Sequence, residues 1–255
     1  MQALQRTLAA LALAGLAGCA GPVDLGPLFN DGEAYSRQRF SQQAVMPPAA
    51  ALTPAGRNAL PFERLTLTGE MRSVRSGSKD APDLSRFETT YIRDGDGGNV
   101  RMIERHDING LPATAGYALQ SHGLVNLAFQ TGSVAQRQAI PIQYVLSASQ
   151  WDPLDGVREG QRYRYVMRLG SRSPLDVTYE MQIDCKVLAA QAASETIPAA
   201  TGRAFPMACS YTNDNGVKSR EASYLWLEQQ GLAVLRQLRL PSKQIDFFYH
   251  SLEQQ

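Results

Sequence analysis

The sequence has few of the residues that mark several common protein classes. It holds three cysteines in 255 residues, and no two have the C-x-x-C spacing of a structural zinc site or a thioredoxin-like centre. Its net charge is +1, so it carries no basic excess to attract a polyanion. We therefore expect neither a disulfide-stapled miniprotein nor a nucleic-acid-binding protein. With 44% hydrophobic residues, the chain is expected to form a packed globular domain.

The sequence motifs of several enzyme classes are also absent. No Walker P-loop, G-x-G-x-x-G, H-E-x-x-H or G-x-S-x-G motif occurs. His106, His122 and His250 are far apart in the chain, and a lone histidine is more often a surface or satisfied residue than a ligand or base. Segment 94–99 (DGDGGN) begins like a calcium loop, but Arg105 stands where the loop needs Glu, so a hairpin turn is predicted. We predict a non-enzymatic protein with no catalytic residue, metal or cofactor.

The first nineteen residues have the pattern of a bacterial lipoprotein signal. A basic start at Arg6 is followed by residues 7–15, an apolar run too short to span a bilayer. The sequence Leu-Ala-Gly-Cys at 16–19 then resembles a lipobox. We predict removal of residues 1–18 by cleavage between Gly18 and Cys19, and lipidation of Cys19 with diacylglycerol and palmitate. An ordinary signal peptide with a chance cysteine is the alternative.

The residue after the predicted lipidation site indicates the compartment. Position 20 is Ala rather than Asp, and by resemblance to the bacterial lipoprotein sorting rule this favours export to the outer membrane. Each buried acyl methylene contributes about 0.8 kcal/mol, so two or three chains hold a protein on a bilayer essentially permanently. We expect an outer-membrane location, with the lipid anchor on Cys19 and the domain facing the periplasm.

Residues 19–60 are predicted to be a flexible tether that carries the lipidated cysteine. Five prolines interrupt any long periodic pattern after Cys19, and the segment after Met46 is rich in Ala and Pro. The segment from Asp31 to Val45 has room for a short helix, but its apolar residues do not keep a 3.6-residue period. The expected function of this region is to space the domain from the membrane.

Residues 61–255 are predicted to form a mostly β domain. The clearest pattern is the stretch from Val177 to Val187, where apolar and polar residues alternate as in a strand with one buried face. Asn-Gly and Asp-Gly pairs separate such runs and supply the positive φ of tight hairpins. No ten-residue helical pattern intervenes, which favours an antiparallel meander. A barrel, a sandwich and a strongly curved sheet all remain open.

About a dozen strands are predicted, together with a short helix near Ser133–Ile140. The strands are expected near 62–74, 86–94, 99–108, 115–121, 124–130, 140–147, 161–169, 175–188, 203–212, 217–227, 232–240 and 244–250.

Cys185 and Cys209 are the two cysteines that lipidation of Cys19 leaves available. Both lie on the apolar face of their strands, and an antiparallel pairing with its bend near Ile197 brings them close together. An oxidising periplasm favours a bond between neighbouring thiols, which stabilises by roughly 3.5 kcal/mol in the chain-entropy model. We predict a structural disulfide, and two separate buried thiols are the alternative.

Several short motifs follow one another over about 60 residues of the C-terminal half. They are CKV at 185–187, ETIPA at 195–199, Gly202, Phe205, Cys209, NDNG at 213–216, YLW at 224–226 and GLAV at 231–234. This series resembles a pattern in uncharacterised proteobacterial lipoproteins and periplasmic β-domains. The resemblance implies a β fold and an envelope location, and it implies no catalytic residues.

The last aromatic residues are predicted to belong to the core and to an edge strand. Phe247 and Tyr249 alternate with Asp246 and His250, which leaves Phe248 on the face expected to be wet. An exposed docking edge formed by Phe247, Phe248 and Tyr249 is the alternative.

The function that these features favour is that of an interaction or envelope-maintenance module. Its partners are then the membrane, through the acyl chains on Cys19, and an envelope protein or a lipid-like ligand. A carrier or chaperone of lipid-like ligands is the first alternative, because a curved antiparallel sheet can enclose an apolar cavity. An envelope hydrolase is the second, and it requires a convergent cluster of catalytic side chains in a cleft.

Overall fold

The computed structural model describes residues 25–45, 59–172 and 177–255. Cleavage at Gly18 and lipidation of Cys19 lie outside these residues, as does much of the predicted tether. The helices are α1 (Gly26–Asn30) and α2 (Gly32–Phe40), and the strands are β1 (Arg64–Arg75), β2 (Asp83–Arg93), β3 (Asn99–Ile108), β4 (Leu111–Ser121), β5 (Val125–Ser133), β6 (Gln138–Ala139), β7 (Gln143–Trp151), β8 (Arg162–Gly170), β9 (Tyr179–Val187), β10 (Gln191–Ala192), β11 (Arg203–Asn213), β12 (Lys218–Leu227), β13 (Leu232–Arg239) and β14 (Lys243–Gln254). None of the described helices is long and apolar enough to cross a membrane.

The strands form a closed antiparallel barrel with the order of a meander. Each long strand pairs with the next long strand along the chain, and the pairing of β1 with β14 closes the ring of twelve. The short strands β6 and β10 add to β5 and β11 outside the ring. The predicted antiparallel meander is confirmed, and of the three architectures left open the chain adopts the barrel. Each predicted strand overlaps an observed one.

Alternation of side chains explains why the sequence forms these strands. On β9 the side chains of Ile183, Cys185 and Val187 are buried, whereas Lys186 between them is exposed. The tight turn between β3 and β4 uses Asn109 and Gly110 with φ values of 53° and 77°. Such positive φ values match the twist of a two-residue hairpin, so the turn fixes the register of the two strands.

Large aromatic and aliphatic side chains fill the barrel interior. Tyr165, Tyr211 and Met207 are buried, and the hydroxyl of Tyr211 lies 2.7 Å from that of Tyr224. Trp151 packs edge-on against Tyr165, with ring centroids 5.0 Å apart. Aromatic pairs of this kind combine large apolar burial with a fixed geometry. The interior at this level is therefore occupied by the protein itself.

The two ends of the barrel differ in how their loops pack. We call the end where β1 begins the packed end, because Leu60, Leu124 and Ile197 in its loops are buried. His122 joins two hairpins there: its carbonyl accepts a bond from Ala233 N at 2.8 Å. We call the opposite end the tip end, where β1, β3 and β5 finish in the loops 76–82, 109–110 and 134–142.

The described part of the predicted tether is packed rather than flexible. Asp31 caps α2 by accepting a hydrogen bond from Ala34 N at 2.9 Å. Phe40 is fully buried, and its ring stacks on that of Tyr117 in β4 with centroids 6.0 Å apart. The predicted spacer role is therefore wrong for residues 25–45, because this segment covers apolar residues on the outer face of β3 and β4.

Two further local predictions are wrong. Residues near Ser133–Ile140 form a turn and β6 rather than a helix, because Val134 N and Ile140 N donate to carbonyls of β4 and β5. β14 is not an edge strand, since β1 and β13 pair with it on either side. Closure of the barrel supplies the second partner that the sequence pattern does not show.

Candidate binding surface

A concave surface lies on the outside of the barrel wall, across β8, β9, β11, β12 and β13. Its volume is about 660 Å³. Two rows of outward-facing residues form it, and we call it the outer groove. The first row is Arg162, Lys186, Ala208, Ser223 and Gln237, and the second is Arg164, Asp184, Ser210, Glu221 and Arg239.

Small side chains make the floor of the outer groove. On β11 the side chains of Met207 and Cys209 are buried, so Ala208 and Ser210 face outward. Ala208 is directly opposite Ser223 on β12. Long charged residues rise on both sides of this floor, and the difference in side-chain length produces the depression.

The charges of the second row are internally paired. Arg164 lies 3.7 Å from Asp184, and Glu221 lies 3.2 Å from Arg239 and 2.7 Å from Lys218. The hydrogen bond and charge of Lys218, with those of Arg239, lower the pKa of Glu221. This row is therefore neutralised by its own neighbours.

The first row holds two cations that face each other. Arg162 on β8 is directly opposite Lys186 on β9. Both are exposed, and within the described residues neither has a hydrogen-bonded or ion-paired partner. Like charges directly opposite on a sheet are destabilising, so an anion placed between them relieves the repulsion. Guanidinium and ammonium groups together suit a carboxylate or a phosphate.

A disulfide lies beneath the outer groove. Cys185 and Cys209 are bonded, and they are directly opposite each other on β9 and β11. The predicted bridge is confirmed, and so is the strand pairing on which it was based. The bond fixes Lys186 beside Ala208, its cross-strand neighbour. It therefore holds one of the two facing cations against the small-residue floor.

The three candidate docking residues, Phe247, Phe248 and Tyr249, lie in two environments. Phe247 and Tyr249 are buried, and each packs edge-on against Phe87 with centroids 5.3 and 5.4 Å apart. Phe248 is 52% exposed and lies on the outer wall, beside Gln237 of the outer groove. One of the three residues is thus placed to contact a partner, and the other two belong to the core.

The three histidines occupy unrelated surroundings. His106 Nε2 lies 2.9 Å from Glu104 Oε1, and the hydroxyl near this pair, Thr89, donates to Glu104 rather than to the histidine. Burial acts to lower the pKa of His106, but Glu104 outweighs it and the pKa is raised. His122 is buried at the packed end, and His250 is exposed. Among the described residues, no group of three or more His, Cys, Asp or Glu side chains is arranged to hold a metal ion.

No protein-family model and no curated protein matches the chain. Among solved structures, it is similar to a β-barrel-like protein of domain of unknown function DUF1849 from Brucella abortus, at 11% identity and TM-score 0.44, over 77% of this chain and 100% of that one. It is similar to a DUF1329 family protein from Desulfovibrio piger at 10% identity and TM-score 0.38, over 76% and 86% of the two chains. It is also similar to the hypothetical lipoprotein YmcC from Escherichia coli, at 10% identity and TM-score 0.31, over 75% of this chain and 86% of that one. These similarities are too distant to assign an activity.

The outer groove is not apparent from the sequence alone. Arg162 and Lys186 are 24 positions apart (186 minus 162), and they come together only through the register of β8 with β9. The one local signal was the pair of small residues, Ala208 and Ser210, at outward positions of a strand whose neighbours carry long charged side chains.

Proposed function

We propose that the chain is a non-enzymatic, lipid-anchored protein of the outer membrane that binds an envelope partner through the outer groove. The anchor in this proposal is Cys19, and the domain faces the periplasm. The group recognised on the partner is a carboxylate or a phosphate, held between Arg162 and Lys186.

The observation that carries the proposal is the unpaired state of these two cations among the described residues. Their neighbours in the second row are neutralised, so a partner's anion meets a local positive charge in a shallow depression. A hydrogen bond to a charged group contributes about 1.5–3 kcal/mol, so two such bonds give a specific, medium-strength contact. Phe248 lies close enough to the groove to add an apolar contact at its margin.

A carrier of lipid-like ligands receives no comparable support. A carrier needs an apolar cavity large enough for an acyl chain. The described interior is instead filled by Tyr165, Tyr211, Met207 and their neighbours.

Site-specific crosslinking on intact envelopes tests the proposal. A photoreactive amino acid replaces Ser223 on the groove floor, and in a control chain it replaces exposed Gln38 on α2. We expect a defined crosslinked species from position 223 only. Mass spectrometry then identifies the partner and its anionic group.

Charge variants make the crosslinking test specific. Arg162→Gln/Lys186→Gln is expected to lower the yield at position 223 at least about tenfold, because both charge-assisted bonds are lost. Arg39→Gln/Arg86→Gln removes the same charge from exposed sites elsewhere and is expected to leave the yield unchanged. Equal yields from the two double variants contradict the groove as the binding site. Turnover of an envelope polymer or ester by the purified protein contradicts the non-enzymatic class.

A further inference from the structure

Exposed aliphatic side chains are concentrated at the tip end of the barrel. Leu84, Ile108 and Leu111 are 62%, 51% and 70% exposed, and Val134 and Ile140 are also exposed. We call these five residues the aliphatic crown. A contiguous exposed patch of large apolar side chains marks a protein or membrane interaction site, whereas scattered single residues do not.

The residues of the aliphatic crown lie on adjoining hairpins. Ile108 and Leu111 are opposite each other at the β3–β4 turn. Val134 N donates to the carbonyl of Ala113 in β4, which ties the next hairpin to the first. The side chains therefore project from neighbouring points of one rim.

The charges around the aliphatic crown nearly balance. In and beside the three loops that carry the crown, the basic residues are Arg75, Lys79 and Arg137, and the acidic residues are Asp80, Asp83 and Asp107. A surface that depends on charge to attract its partner needs an excess of one sign. Apolar contact is therefore the main attraction that this rim offers.

The start of the described chain lies beside the same rim. Leu28 and Phe29 of α1 lie against Gly132 at the end of β5, one residue before its last residue and two before Val134. The carbonyl of Leu25 accepts a hydrogen bond from Leu28 N at 3.0 Å. The described chain thus begins on the outside of the barrel, next to the β5–β6 hairpin.

The length of chain before Leu25 limits the distance to the predicted anchor. Cys19 precedes Leu25 by six positions (25 minus 19). A fully extended chain covers at most about 3.3–3.6 Å per residue, so six residues reach about 20 Å. Acyl chains on Cys19 therefore keep α1, and the hairpin it contacts, close to the bilayer surface.

We propose that the aliphatic crown inserts into a lipid surface, so that the barrel stands on the membrane with its tip end down. The position of the crown beside the chain start identifies lipid, rather than a second copy of the chain, as its occupant. This orientation rests on the proposed anchor at Cys19, but the affinity of the crown for lipid does not. The outer groove then faces sideways, parallel to the membrane, and is free to bind a partner.

Vesicle binding by a chain without acyl groups tests the insertion. The full chain carrying Cys19→Ser is mixed with vesicles of phosphatidylethanolamine and phosphatidylglycerol, and bound protein is measured by co-sedimentation. Adding Ile108→Ser/Leu111→Ser is expected to lower the partition coefficient at least about tenfold, because two aliphatic side chains no longer leave water. The remaining apolar run at 7–15 is common to all variants, so the difference between them reports the crown.

The control is an exposed aliphatic residue at the other end of the barrel. Leu188, which follows β9 at the packed end, is 41% exposed, and Leu188→Ser is expected to leave vesicle binding unchanged. We also expect little change between low and high salt, since the charges nearly balance. Circular dichroism confirms that each variant keeps its β structure.

Two outcomes overturn the inference. One is equal vesicle binding by the crown variant and its parent, and the other is crown-dependent self-association in sedimentation without vesicle binding. Palmitate labelling of the wild type and of Cys19→Ser reads the anchor separately. If the wild type is labelled but vesicle binding does not depend on the crown, the anchor is supported and the crown is rejected. If the wild type is not labelled but vesicle binding depends on the crown, the crown is supported and the anchor is rejected.

Discussion

His122 shows how one residue joins three turns of the barrel. Its backbone N–H donates to the carbonyl of Gly98 at 2.6 Å, its Nδ1 lies 2.8 Å from the carbonyl of Gly231, and its ring packs against Trp226. Its φ of 48° lies in the left-handed region, which few residues other than glycine adopt. Burial lowers the pKa of His122, although the carbonyl of Gly231 acts in the opposite direction.

His122 and His106 give opposite dependences of stability on pH. A lowered folded pKa means that the unfolded chain takes up the proton first, so His122 costs stability as the pH falls below about 6.5, the ordinary value. His106 has a raised pKa, so its contribution is complete below about 6.5 and is lost as the pH rises through its folded value. The two effects are separated by replacing one residue at a time.

We expect His122→Asn to reduce the loss of stability in mild acid. Asparagine tolerates the positive φ and has no proton to gain, so the decrease in unfolding free energy between pH 7 and pH 5.5 becomes smaller than in the wild type. The variant is less stable than the wild type at pH 8, because the ring contact with Trp226 is lost. Urea unfolding at each pH measures both quantities. An unchanged pH slope contradicts the assignment of this dependence to His122.

At the scale of elements, alternation along the chain was sufficient to predict the strands. One buried and one wet face gives each strand a local signal, and β3 has the predicted bounds 99–108. The disulfide was predictable for the same reason, because Cys185 and Cys209 each alternate with polar residues and so lie on the inner face of their strands. The strands needed no tertiary information, and the disulfide needed only the pairing of two strands joined by one bend near Ile197.

The helices and the outer groove were not predictable in this way. Phe40 and Tyr35 lack a regular 3.6-residue spacing. Phe40 is buried and Tyr35 half-buried against Tyr117, which is 77 positions after Phe40 (117 minus 40). The facing cations Arg162 and Lys186 likewise depend on strand register. Both features arise from long-range contacts that a single sequence does not encode locally.

The packing of α2 predicts that it contributes to barrel stability. Phe40→Ala is expected to lower the free energy of unfolding by about 3–5 kcal/mol, the usual cost of removing a buried phenylalanine. Gln38→Ala, on the exposed side of the same helix, is the matched control and is expected to change it little. Urea unfolding followed by circular dichroism measures both. Equal stability of the two variants means that the segment is a tether after all.

At the scale of the whole molecule, one strand pair converts a meander into a closed barrel. β1 and β14 are at opposite ends of the barrel sequence, and they pair along almost their full length. The register shifts between Thr68 and Gly69, and the hydroxyl of Thr68 lies 2.7 Å from that of Ser251 beside the shift. Such a bulge bends the strand and increases its twist, as closure of a sheet requires.

Gly69 allows the close approach of β14 at this bulge. A side chain on Gly69 meets the carbonyl oxygen of Phe248 and the ring of Phe87, and the first of these is backbone that cannot move aside without opening the pair. We expect Gly69→Ala to lower the unfolding free energy by about 1–3 kcal/mol, the cost of overpacking a well-filled site. Gly116→Ala is the matched control in the same barrel, because the nearest atom to the added carbon is Glu104 Cβ at 3.6 Å, an ordinary contact.

Hydrogen exchange of the β1 and β14 amides distinguishes loss of closure from general destabilisation: in Gly69→Ala these amides exchange faster than those of β8 and β9. If all strands exchange faster to the same extent, or if the two glycine variants are equally stable, the approach at Gly69 does not govern how the barrel closes.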